Sequence, residues 1–121
     1  MRVARHVLPG KAMADVGTDH GLLPVWLVLQ GVVPRAIAMD LRPSPLAVAR
    51  RQVARAGVSE QVSCRLSDGL EALTPGEVAT VTICGMGGGL MARILAAQPA
   101  ARQQLQRLVL QPNTDPAKLR A

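Results

Sequence analysis

The sequence predicts an open, mainly parallel α/β sheet with helices on both faces. Short apolar runs alternate with amphipathic stretches five times along the 121 residues. That alternation leads to parallel strands joined by crossover helices. The chain is 49 % hydrophobic and 18 % charged, which is a globular rather than a disordered balance. Its length suits one domain with a real core, and it shows no internal repeat, low-complexity tract or long linker.

The five apolar runs, each with the length of a buried strand, are residues 12–16, 36–40, 62–66, 78–84 and 108–111. The fourth is rich in β-branched residues and the third is the weakest. Between them, residues 22–30 and 46–56 read as helices. In the second of these, Leu46, Ala49, Val53 and Ala56 share one face. Ser44 is the expected N-cap there, Pro45 the first helical residue and Gly57 the stop. A short helix is expected near Gly69, another at 90–97 ending before Pro99, and a last one starting at Asp115–Pro116. Trp26 is expected in the core.

Composition excludes several functions. Phe and Tyr are missing and Trp26 is the only aromatic ring, which argues against a sheet that reads RNA by stacking. Cys64 and Cys84 do not make a disulfide framework, so free buried thiols in a reducing cytosol are expected. With two histidines, no CxxC and no HxxxH, no structural zinc site is expected. No apolar run reaches the 18 residues of a membrane span, and no secretory signal is expected behind Arg2 and Arg5. The formal charge of +6 suits an anionic partner such as nucleic acid. Arg50, Arg51 and Arg55 are either phosphate contacts or an ordinary solvated helix face.

In such sheets ligands bind at the carboxyl ends of the strands. Those ends carry Gly17-Thr18-Asp19-His20-Gly21, then Asp40, then Asp68-Gly69, then Cys84-Gly85-Met86-Gly87-Gly88-Gly89, then Gln111-Pro112-Asn113. Isolated Gly and Asp occur in any turn, but five such ends together point to a site. Asp40 follows Gly17 by 23 residues, the spacing of an acid that binds ribose hydroxyls. That spacing fits a nicotinamide cofactor or S-adenosylmethionine equally. A dinucleotide fingerprint needs glycine two positions after Gly17, where Asp19 stands; with Asp15, it would repel a pyrophosphate. S-adenosylmethionine has no phosphate and carries an ammonium and a sulfonium, so the loop favours the methyl donor. Residues 85–89 also suit a flexible turn or an anion nest, but no P-loop motif is present. Cys84 reads as a small buried residue more readily than as a nucleophile. His20 either packs at the first helix N-terminus or lines the transfer pocket.

The stretches ADVGTDHG (14–21), AIAMD (36–40), DGL (68–70), ICGMGG (83–88) and LQPN (110–113) together resemble the bacterial tRNA adenine-N1 methyltransferases of the TrmK type. The resemblance implies a Rossmann-like class I methyltransferase domain over residues 1–121. It implies transfer of a methyl group from S-adenosylmethionine to N1 of the adenine at position 22 of tRNA, in the cytoplasm. By resemblance, Gly17, Asp19, His20 and Gly21 surround the methionine part of the cofactor, and Asp40 holds the ribose. Asp68 and Gly69 sit at the adenine ring. Gly85, Met86, Gly87 and Gly88 lie near the reacting methyl, and Pro112 and Asn113 face the incoming base, with Asn113 and His20 the candidate catalytic residues. Two departures stand out: Leu22 occupies a position often aromatic in the family, and family members extend beyond both ends of this chain. The chain is therefore expected to be a truncated member missing the last strands, with an open edge prone to self-association. Its oligomeric state stays open. Two rival expectations are a methyltransferase for another substrate, and a remnant that binds the cofactor or RNA without turnover.

Overall fold

The structure, a computed structural model, describes residues 3–18, 21–97 and 99–112. A single 3-10 turn, Val3–His6, leads into β1 (Met13–Val16), α1 (Leu22–Leu29), β2 (Ala36–Asp40), α2 (Pro43–Arg55) and β3 (Val62–Leu66). Then follow β4 (Thr80–Met86), α3 (Gly88–Ala97), α4 (Pro99–Gln103) and β5 (Arg107–Pro112). The five strands form one sheet in the order β3-β2-β1-β4-β5, and every neighbouring pair is parallel. The chain thus winds outward from β1 to β3, then returns to place β4 on the other side of β1. The reversal between β1 and β4 opens a crevice at the carboxyl ends of those strands.

Alternating strand residues feed two separate cores, because successive side chains point to opposite faces. Met13 and Ala36 face one side, where they pack with Leu23 and Leu27 of α1 and Val53 of α2. Ala14, Val16, Ile37 and Met39 face the other, against Met91 and Ile94 of α3 and against Leu70, Leu73 and Val78. Both faces are covered, as an all-parallel sheet requires.

Several sequence expectations need correction. α2 starts at Pro43, with Arg42 rather than Ser44 at the N-cap and no side-chain cap. Pro43 can open a helix as well as Pro45 can, and the Asp40 carboxylate accepts the Arg42 N–H at 2.9 Å, which turns the chain into the helix early. No helix forms after Gly69; residues 69–72 are turns. α3 begins two residues early, at Gly88, and ends at Ala97, before Pro99 as expected; Pro99 then opens the unexpected α4, since a first-turn proline has no N–H to satisfy. β4 runs on through Gly85 and Met86, with Gly85 as the extra residue of a bulge: Cys84 pairs Gln111 while Met86 pairs Pro112. Trp26 is exposed, not core. The helix expected at Asp115–Pro116 lies outside the described residues.

The β3–β4 connection has no helix, and an ion pair holds it instead. Arg65 of β3 donates to both carboxylate oxygens of Glu77, at 2.8 and 2.7 Å, and to the Ala72 carbonyl at 3.0 Å. Hydrogen bonds from Arg65, more than its charge, hold the Glu77 carboxyl below its ordinary value of 4.5. A carboxyl lowered by folding stabilises the fold above its ordinary value, and the benefit is lost as pH falls through the lowered one. Glu77→Gln is therefore expected to cost up to about 1 kcal/mol at pH 7, the pair being partly exposed and screened by solvent. The gap between the melts of the two proteins should shrink as pH falls from 7 to 3; an equal gap at pH 3 and pH 7 contradicts this role.

Candidate donor-binding site

A cavity of about 340 Å³ opens at the carboxyl ends of the central strands. Val16 and Gly17 end β1 there, Asp40 ends β2, and Ser67, Asp68 and Gly69 follow β3. Cys84 of β4, Leu90 and Ile94 of α3, and Leu41 and Arg42 complete the lining. The volume lies within the range of small-molecule sites, which are mostly apolar with a few placed polar groups.

Asp40 is buried at 6 % exposure yet lines the cavity. Its Oδ1 accepts the Arg42 N–H, and among the described residues its Oδ2 accepts nothing. A buried carboxylate with a free oxygen facing a cavity suits a pair of vicinal hydroxyls. Ser67 shapes the next turn. Its hydroxyl donates to the Gly69 carbonyl at 2.8 Å and accepts the Ala72 N–H at 3.1 Å. Gly69 has φ +62°, and a Cβ there would lie 2.9 Å from Ile94 Cγ2. Only glycine lets the turn approach α3 so closely.

The cavity floor is electronegative. Asp15, buried behind it in β1, accepts the Thr82 hydroxyl at 2.7 Å. Burial, and then the Asp15 charge, push the Cys84 thiol up to about 11. Cys84 is therefore protonated at neutral pH and is no nucleophile there. Iodoacetamide should alkylate it at pH 8 about a hundredfold more slowly than an ordinary thiol, with the rate climbing toward pH 11. Peptide mapping separates it from Cys64, whose thiol is also raised by burial. Rapid labelling of Cys84 at pH 8 would contradict the buried, electronegative floor.

Of the residues singled out in the sequence, Gly17, Asp40, Asp68 and Gly69 meet at this cavity. Gly87 lies at the start of α3, its carbonyl accepting the Met91 N–H at 3.1 Å. Gly85 and Met86 lie in β4, beside the crevice. Gly21 does not line the cavity: at φ +71°, with a Cβ position 3.0 Å from Ala49 Cβ, it serves the close packing of α1 on α2. Asp19, His20 and Asn113 lie outside the described residues. Thr18, beside them, is buried, and its hydroxyl finds no hydrogen-bond partner among the described residues. Sequence reading missed Leu41, Ser67, Leu90 and Ile94. Leu41, directly after the strand-ending acid, had the one usable signal: an apolar residue at a strand's carboxyl end.

The donor set fits a nucleoside with a cationic tail better than a dinucleotide. Asp40 and Asp68 line the cavity, Asp15 lies behind it, and Arg42, the one guanidinium among the described lining residues, lies 3.7 Å from Asp40 Oδ1 with its side chain 76 % exposed. A pyrophosphate would meet carboxylates. Among the described residues no group of three His, Cys, Asp or Glu side chains could hold a metal, and no helix is long and apolar enough to cross a membrane.

Comparison with known proteins agrees with this geometry. A family model described as a methyltransferase domain matches residues 1–121. The chain is 41 % identical over 118 residues to a tRNA (adenine(22)-N(1))-methyltransferase of Bacillus subtilis, covering 98 % of this chain and 50 % of that protein. The crystal structure of the B. subtilis M1A22 tRNA methyltransferase TrmK superposes with a TM-score of 0.85 at 40 % identity, over 92 % of this chain and 47 % of that one. A putative tRNA (m1A22) methyltransferase of Streptococcus pneumoniae, solved with S-adenosyl-L-methionine, gives 0.89 at 39 % identity, over 98 % of this chain and 56 % of that one. M. capricolum TrmK, solved with S-adenosyl-homocysteine, gives 0.84 at 32 % identity, over 98 % and 53 %. The chain thus spans about half the length of the curated relative it matches. An acid-ended β2 and a glycine turn packed on α3 beside the cavity are what such a match leads one to find, and the chain belongs to the methyltransferase-domain family.

Proposed function

We propose that this chain provides the donor-binding domain of an S-adenosylmethionine-dependent tRNA (adenine-N1) methyltransferase acting on the adenine at position 22. The observation that carries the reading is the cavity itself: an acid for ribose hydroxyls over an electronegative floor, in a chain 41 % identical to an enzyme of that name. Bound there, S-adenosylmethionine supplies a methyl group made electrophilic by its sulfonium.

The chain's own residues divide the work of holding it. Asp40 accepts from the ribose hydroxyls. Asp68 and the Gly69 backbone meet the adenine ring, with Leu41, Leu90 and Ile94 as apolar walls. Gly17, with Asp19 and His20, surrounds the methionine part, and Gly85, Met86 and Gly87 lie under the reacting carbon. Gly21 closes this loop and backs it against Ala49 of α2. The N1 lone pair of adenine is free, so attack needs no general base. Placement and exclusion of water then dominate, and alignment of this kind is worth about 7–11 kcal/mol. Asn113 fixes the incoming base, and His20 lines the transfer pocket. A tRNA substrate and two free thiols support a cytoplasmic setting.

The test has two steps. S-adenosylhomocysteine titrated calorimetrically into the chain should bind at one site. Tritiated S-adenosylmethionine should then label a tRNA transcript with adenine at position 22 and not one with guanine there. Binding without transfer to any tRNA would reassign the chain to a cofactor-binding module.

A further inference from the structure

The helix α1 carries no charged residue, yet one of its sides is open to solvent. Leu23, Pro24 and Leu27 are buried against the sheet, while Leu22, Trp26 and Leu29 are 55 %, 37 % and 56 % exposed. These three lie at i, i+4 and i+7, so they form one stripe along the outer face. A helix apolar all round is normally covered on all sides. Gln52 and Arg55 of α2 form the opposite wall of a groove of about 380 Å³ along this stripe. The groove runs along α1 from Gly21, at the carboxyl pole of the sheet, to Leu29, and its α2 wall belongs to the last turns of that helix, toward the amino ends of the strands.

Its charge is one-sided. Between residues 21 and 59 the only carboxylate is Asp40, which lies in the donor cavity, against Arg35, Arg42, Arg50, Arg51 and Arg55. Among the described residues no carboxylate lies within 4 Å of Arg55. A flat indole, flanking leucines and an unpaired guanidinium form a surface for a group with a π-face and a nearby negative charge. A second copy fits poorly, because a two-fold contact would set Arg55 and Arg51 against their own counterparts with no acid between them.

We propose that the α1–α2 groove is an RNA-docking surface that takes an unpaired nucleotide of the substrate, its base against Trp26 and its phosphate at Arg55. The proposal rests on the tRNA reading above and adds an anchoring site outside the donor cavity. The rarity of aromatic residues makes it directly observable: Trp26 is the only aromatic side chain, so intrinsic emission reports this groove alone.

The chain is titrated at low salt with an unmodified tRNA transcript, read both by Trp26 emission and by filter retention of labelled tRNA. Emission should be quenched saturably, with the same midpoint as retention. Arg55→Gln should weaken retention and reduce the slope of log K against log salt by about one. Trp26→Leu should weaken it about tenfold, and Trp26→Phe should restore most of the loss. S-adenosylhomocysteine binding should be unchanged in all three variants, which also shows that they fold. Retention with silent emission and an unaltered Arg55→Gln slope overturns the groove but leaves the tRNA reading standing. Emission that shifts with protein concentration in the absence of RNA overturns it in favour of a second copy. No retention of any tRNA by a chain that binds S-adenosylhomocysteine overturns both.

Discussion

Asp40→Ala is expected to weaken S-adenosylhomocysteine binding about a hundredfold, the largest loss at any single position of the site. A hydrogen bond to a charged group is worth about 1.5–3 kcal/mol, and the buried Asp40 carboxylate is positioned to accept from a ribose diol. The substitution has a structural side effect, since Asp40 Oδ1 also accepts the Arg42 N–H at the start of α2. Asp40→Asn separates the two roles: the amide oxygen can keep the Arg42 turn, while the charge is lost. We expect Asn to melt close to the parent and to bind about tenfold more weakly, and Ala to lose on both counts. Calorimetry and thermal melting on the same samples check this. Equal affinity in all three proteins would remove Asp40 from the donor site.

Gly69→Ala is expected to be the most damaging small substitution for stability. The residue sits at φ +62°, where a side chain costs about 1–2 kcal/mol, and overpacking a filled site costs about 1–3 kcal/mol. Together these predict a loss of about 2–5 kcal/mol. The new methyl would lie 2.9 Å from Ile94 Cγ2, and Ile94 belongs to the core under α3 and cannot swing aside. Because Gly69 and Ile94 both line the donor cavity, affinity for S-adenosylhomocysteine should fall as well. The double variant Gly69→Ala/Ile94→Ala relieves the collision but not the backbone strain. Its loss of stability should therefore be smaller than the sum of the two single losses. Strict additivity in denaturant melts would show that the contact is not the cause.

The strands were legible because their signal is local. β-branched runs and acid- or glycine-ended segments mark them whatever lies beside them, and parallel order follows from their alternation with helices. The rule that ligands bind at the carboxyl ends then put Gly17, Asp40, Asp68 and Gly69 on one side of the molecule, where the cavity is. Element ends were less legible. Pro43 and Pro45 are equivalent by propensity, and only the hydrogen bond from the Arg42 N–H to Asp40 selects the first. The β3–β4 connection looked helical after Gly69 but is held by Arg65 and Glu77, which are 12 residues apart.

The sequence by itself determined the parallel α/β class, the ligand-binding pole, the acid that ends β2 and the methyltransferase resemblance, because each depends on residue type and short spacing. Tertiary structure alone decided which glycine does what. Gly21 and Gly69 both have positive φ, yet one packs on Ala49 of α2 and the other on Ile94 beside the donor cavity. It also decided that Leu41 and Ser67 shape the cavity and that Trp26 faces outward. Those outcomes depend on which surfaces meet across the sheet, and an all-apolar helix such as α1 carries no periodicity to say which of its sides stays uncovered.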